Sequence, residues 1–122
     1  MAGLIRREIV LKSGSKELIT NAMDDIRDDL ILFQTGNNFT DDGYIDFNLR
    51  IDILNSDEIS KSLAKTLKSI ANHWDCDFNE KKEFTTENTD RNQAIINLIQ
   101  CTSAAIGYCW ALAKIERKQK DD

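Results

Sequence analysis

Hydrophobic and polar positions alternate most strictly between Tyr44 and Ile53. Ile45, Phe47, Leu49, Ile51 and Ile53 interleave there with Tyr44, Asp46, Asn48, Arg50 and Asp52. A period of two predicts a β-strand with one buried and one wetted face. A strand needs partners, so the pattern predicts a sheet and excludes a purely helical fold. Residues 4–12 are short and apolar, with β-branched Ile9 and Val10 before a Ser13-Gly14-Ser15 break, and are read as a second strand.

The remaining periodicity is helical. Leu18, Ile19, Ala22, Met23, Ile26, Leu30 and Phe33 fall on one arc of a helical wheel, which predicts a helix after a Ser15 cap. Ile31 and Leu32 point outward on that wheel, so a helix ending near Asp29 and a short strand beyond it is the alternative. Asn55 and Glu58 have capping-box spacing, and Ile59, Leu63, Leu67, Ile70 and Trp74 form a narrow stripe behind them. Lys61, Lys65 and Lys68 share the opposite face. Residues 75–88 read as loop or weak edge strand around Phe78 and Phe84. Asp90 with Gln93 opens the last helix, which runs to about Lys118 and is apolar in every direction from Ala94 to Ile115. Its length alone would span a membrane. Asn97, Gln100, Thr102 and Ser103 would be costly in lipid, so a buried helix is expected and no membrane.

These elements predict one α+β domain over residues 1–122, with residues 114–122 as a charged end. Three helices pack on a small, mostly antiparallel sheet, and the C-terminal helix is central and buried. A length of 122 residues suits one core. The absence of proline and the 41% hydrophobic share exclude a linker or low-complexity chain. Residues 1–8 have no signal-peptide pattern, and Cys76, Cys101 and Cys109 are odd in number and unpatterned. Both observations point to a reducing, cytoplasmic setting.

Charge changes the picture further. The net charge is −5, and residues 17–59 hold eleven acidic but two basic side chains. Such a balance disfavours direct nucleic-acid binding, which needs clustered Lys and Arg. Asp24, Asp25, Asp28 and Asp29, with Asp41 and Asp42, form the candidate partner-binding set: an acidic band suited to a basic protein surface. A calcium loop is the competing reading of residues 38–49. Aligning Gly43 with its sixth position sets Asn38, Thr40 and Asp42 at the first, third and fifth. The alignment then puts Leu49 where a bidentate Glu is required, and calcium ligation fails there. No metal, phosphate-loop or nucleophile motif is found, so no cofactor is expected.

Two smaller groups remain. His73 and Cys76 bring the only histidine near a thiol, which raises a small hydrolase as one alternative. The bland reading is a helix C-terminus with a favourably placed His73. Ser103, Gly107 and Ala111 recur every fourth residue on the last helix and form the candidate self-association row of a homodimer, or of a structural homo-oligomeric subunit. The leading expectation is a non-catalytic binding protein, an inhibitor of a basic enzyme such as a nuclease, of the toxin-immunity or phage anti-defence type.

Overall fold

The computed structural model describes residues 3–23 and 29–121. Chain order is β1 (Ile5–Val10), β2 (Lys16–Met23), β3 (Asp29–Thr35), β4 (Asn38–Thr40), α1 (Tyr44–Asn48) running into a π-helical turn (Leu49–Leu54), α2 (Lys61–His73), β5 (Asp77–Phe78), β6 (Phe84–Glu87) and α3 (Arg91–Asp121). The strands form one antiparallel sheet in the order β1-β2-β3-β4-β6-β5. The fold is α+β, with three helices and α3 packed against the sheet.

Strand parity decides the layering. Leu18, Leu30, Leu32, Phe39, Phe78 and Phe84 lie in the buried core. Ile45, Leu49 and Ile53 from α1 and its continuation join them, with Leu63, Leu67 and Ala71 from α2 and a stripe of α3. All three helices therefore cover the same side of the sheet. Side chains of opposite parity, beginning with Ile19, Ile31 and Phe33, point away from that core. They are half-buried, and the second face of the sheet carries no helix among the described residues.

Two predicted elements are corrected. Residues 16–23 and 29–35 are the β2–β3 hairpin, with Leu18 opposite Leu32 and Ile19 opposite Ile31. The outward Ile31 and Leu32 of the wheel are the sign: a continuous Leu30-Ile31-Leu32-Phe33 run suits a strand flanked on both faces better than a one-sided helix. Ser15 does not cap a helix, and its hydroxyl meets that of Thr35 at 2.8 Å across the hairpin. Conversely, 44–53 is helical. Ile45, Leu49 and Ile53 are buried at a spacing of four, while Phe47 is 53% and Ile51 46% exposed. Every second member of an alternating series is four residues apart, so the same pattern serves a helix face.

The caps follow local chemistry. Ser60, not Asn55, caps α2 by accepting the Leu63 N–H at 3.1 Å. Asp90 accepts the Gln93 N–H at 3.2 Å, as its spacing predicts for α3. On α3 only one side is buried: Ala94, Ile95, Leu98, Cys101, Ala105, Cys109 and Ala113 pack inward. Ser103, Gly107, Trp110 and Ala111 are exposed.

The helical reading of 44–53 makes a direct test. Leu49→Ala should lower the unfolding free energy in urea by about 2–5 kcal/mol, as a buried Leu truncation does. Ile51→Asp should cost less than about 1 kcal/mol, because that side chain faces solvent. A strand of period two would make the two changes comparably severe.

Candidate functional site

The uncovered sheet face is the candidate site, and the ladders state what it presents. One row of adjacent side chains crosses all six strands: Ile9, Glu17, Phe33, Thr40, Thr85 and Asp77. Arg7, Ile19 and Ile31 form the row on one side of it, and Thr35, Asn38 and Glu87 the row on the other. The β1–β3 half is thus apolar at Ile9, Ile19, Ile31 and Phe33. The β4–β6–β5 half is hydroxyl-rich and acidic.

The acidic half is concave. A cavity of about 560 Å³ opens over β3, β4 and β6, with Phe33 at its apolar side. Asp75, Asp77, Glu83 and Glu87 supply four carboxylates to its lining, and none of the twelve described residues that line it is Lys or Arg. Lys68 reaches Asp77 from α2 at 2.6 Å, and Glu83 accepts the Thr40 hydroxyl at 2.9 Å. Asp75 and Glu87 are exposed and contribute negative charge at the edge.

Local backbone chemistry builds this edge. At the end of α2, the Asp75 N–H donates to the Asn72 carbonyl at 3.2 Å and the Cys76 N–H to the Ala71 carbonyl at 2.8 Å. This is a Schellman closure, and it places Asp75 in the left-handed region at φ 58°. Asp tolerates that conformation better than bulkier residues. The reversal turns the chain into β5 and sets Asp75 and Asp77 beside the sheet. Thr86 then locks the junction by donating its hydroxyl to the Asp75 carbonyl at 2.9 Å.

The residues singled out in the sequence fall in different places. Asp41 is fully buried and is a structural anchor, a correction to its placement on a partner-binding surface. Its carboxylate accepts the N–H groups of Gly43 at 3.2 Å, Ile45 at 3.0 Å and Phe84 at 2.8 Å. Burial pushes it up to about 6, against the pull of those three donors. Asp42 is exposed at φ 57° beside Gly43 at φ 80°, the turn that the Asp-Gly pair predicts. Asp29 begins β3 and pairs with Arg6. Asp24, Asp25 and Asp28 lie outside the described residues.

His73 and Cys76 do not form a pair. His73 is exposed in the last turn of α2, edge-on to Trp74 at 5.1 Å, and borders a shallow depression with Lys65 and Ser69. Cys76 is buried, and its thiol donates to the Trp74 carbonyl at 3.4 Å. The neighbouring Cys101 thiol draws Cys76 below the usual thiol range and is itself held far above it. Burial alone pushes Cys109 up to about 11. Among the described residues, no cluster of three His, Cys, Asp or Glu is placed to hold a metal.

Sequence reasoning does not single out Glu83 and Glu87, and it meets Asp75 and Asp77 only as the two carboxylates gathered with His73 and Cys76. Their signal is weak: Phe84-Thr85-Thr86-Glu87 alternates for only four residues, and the carboxylates are distant in sequence from β3.

Asp41 gives a pH test with a defined sign. A carboxyl raised from 3.8 to about 6 on folding contributes stability that is full below pH 3.8 and is lost as pH rises through 6. Burial raises Asp46 in the same direction, against the Arg50 side chain bonded to it at 3.1 Å. Urea unfolding should show the protein about 1 kcal/mol more stable at pH 5 than at pH 8 from Asp41 alone. Asp41→Asn should flatten that slope while lowering stability at both values, since the amide nitrogen cannot accept from Ile45. An unchanged slope would assign the pH dependence to other carboxyls. The chain matches no protein-family model, no curated protein and no solved structure, so its function is argued from this geometry.

Proposed function

We propose that this chain is a non-catalytic binding protein whose partner brings a basic, partly apolar surface to the open face of the sheet. One observation carries the proposal: half-buried apolar side chains run into a cavity with four carboxylates and no cation among the described residues of its lining. Apolar area supplies the driving force for such contacts. The carboxylates select a basic partner and speed its approach. The acidic surface of this reading therefore belongs to Asp75, Asp77, Glu83 and Glu87, with Asp42 outside it.

Action by occupancy is the form supported best. His73 and Cys76 border different depressions, and the Cys76 thiol at the cavity wall is buried, bonded to the Trp74 carbonyl and set away from the histidine that would serve it as a base. A basic enzyme surface that handles nucleic acid has the complementary charge. Blocking such a surface, as toxin-immunity and anti-defence proteins do, is the proposed biological role. Three buried unpaired cysteines suit a reducing compartment, and a cytoplasmic location is part of the proposal.

The test uses a fluorescein-labelled peptide of alternating Lys and Leu and reads its anisotropy. Replacing Asp75, Glu83 and Glu87 together by their amides should weaken binding about tenfold at low salt, from roughly 0.5 kcal/mol per exposed charge contact. Phe33→Ser should weaken binding with little change in salt dependence, because it removes apolar contact. Asp42→Asn with Asp52→Asn, two exposed changes elsewhere, should leave binding unaltered. Equal losses from the control pair would mean that the peptide reads net charge alone, and the open face would not be the site.

A further inference from the structure

We propose that Cys76 and Cys101 form a peroxide-sensitive dithiol, in which Cys76 meets the oxidant from the cavity and Cys101 closes a reversible disulfide behind it. The site needs no occupant of the open sheet face and stands independently of the binding proposed there.

Position is the first argument. Cys76 lies where the chain leaves α2 for β5, and the Ala71 carbonyl holds its N–H at 2.8 Å. Its side chain is 6% exposed and lines the cavity of about 560 Å³ over the sheet. Cys101 belongs to the inward stripe of α3, is 0% exposed, and packs in the same core. The Cys101 thiol is hydrogen-bonded to the Cys76 sulfur, while the Cys76 thiol donates to the Trp74 carbonyl at 3.4 Å. One sulfur thus borders the cavity and the other stands directly behind it. Cys109 is eight residues further along α3, about 12 Å from Cys101 along the helix axis, which is too far for a disulfide.

Charge sets the order of reaction and the class of oxidant. The bond from Cys101 draws Cys76 below the usual thiol range, against its burial and with help from the Thr86 hydroxyl. The thiolate is the form that attacks an oxidant, so Cys76 reacts first. The same bond, with burial and the charge on Cys76, holds the proton on Cys101. Two of these three causes disappear once Cys76 is neutral sulfenic acid. Asp75, Asp77, Glu83 and Glu87 in the cavity lining repel an anionic oxidant such as glutathione disulfide, and a small neutral hydroperoxide enters without that penalty.

The chemistry balances with hydrogen peroxide as the two-electron oxidant. The Cys76 thiolate attacks one peroxide oxygen and the O–O bond breaks. This leaves Cys76 sulfenic acid and hydroxide, which becomes water with the proton that the thiol released. Cys101 then attacks the Cys76 sulfur, the S–S bond forms and the S–O bond breaks. The sulfenic hydroxyl leaves as a second water with the Cys101 proton. A thiol reductant reverses the product, as suits a transient bond in a reducing setting.

Folded protein treated with hydrogen peroxide, then denatured and alkylated with N-ethylmaleimide, should take up one label where the untreated chain with its three free cysteines takes three. Peptide mapping should place the bond between Cys76 and Cys101, and dithiothreitol should restore all three labels. Cys101→Ala should stop the reaction at a Cys76 sulfenic acid that dimedone captures, and Cys109→Ala should leave the disulfide forming as before. Three labels after peroxide, or a bond to Cys109 or to a second chain, would overturn the proposal. So would an oxidation rate that climbs steeply with urea below the unfolding transition, because the reaction would then belong to the unfolded chain. Oxidation by glutathione disulfide as fast as by peroxide at equal concentration would overturn the choice of a neutral oxidant.

Discussion

The carboxylate of Asp41 takes backbone N–H groups from Gly43, Ile45 and Phe84, and so ties three separately coded pieces of chain to one buried point. Two of the donors belong to the turn that starts α1. The third begins β6, and the Asp41 N–H returns a bond to the Phe84 carbonyl at 3.1 Å. Without this knot, β4 would have no fixed handover to the helical layer, and β6 would lose its register start beside β4. The anchor is costly, since burial opposes the charge that its donors favour. At the junction of both layers, such a satisfied buried group specifies the fold more than it adds raw stability.

From that point the architecture follows from one-sided coverage. The chain contains enough helix for a single layer, and α1, α2 and α3 all settle on one face of six strands. Two surfaces are then left without a partner among the described residues. The open sheet face is graded from isoleucine and phenylalanine to threonine and carboxylate across its ladders. The outward side of α3 is uncharged over its middle. These surfaces differ in chemistry, the first graded in charge and the second uncharged over its middle.

The π-helical turn at Leu49–Leu54 reconciles the helical layer with the sequence spacing. Arg50 lies in it, donating from Nε to Asp46 at 3.1 Å and from Nη1 to the Asp57 carbonyl at 2.7 Å. The turn ends at Asn55 with φ 50°, a conformation that asparagine accepts readily. Thus Ile45, Leu49 and Ile53 stay on the core, while Tyr44, Phe47 and Ile51 are turned to solvent.

Taken alone, the sequence determined the α+β class, the body of α2 though not its start, the extent of α3, the Asp90 cap, the Asp42-Gly43 turn and the core stripe at Leu63 and Leu67. Each of these rests on local chemistry or a long run of one period. Only the tertiary structure decided between strand and helix at 16–35 and 44–53. A hairpin partner such as Leu32 opposite Leu18 is remote in sequence, and a spacing of four is contained in an alternation of two. Depth is likewise a tertiary property: Asp41 and Asp42 are adjacent and chemically identical, yet one is enclosed by backbone donors and the other faces water. The cavity residues were illegible for the same reason. Asp75, Glu83 and Glu87 come near Phe33 only because β4 and β6 pair across more than forty residues of chain, and contacts at that separation leave no periodic trace.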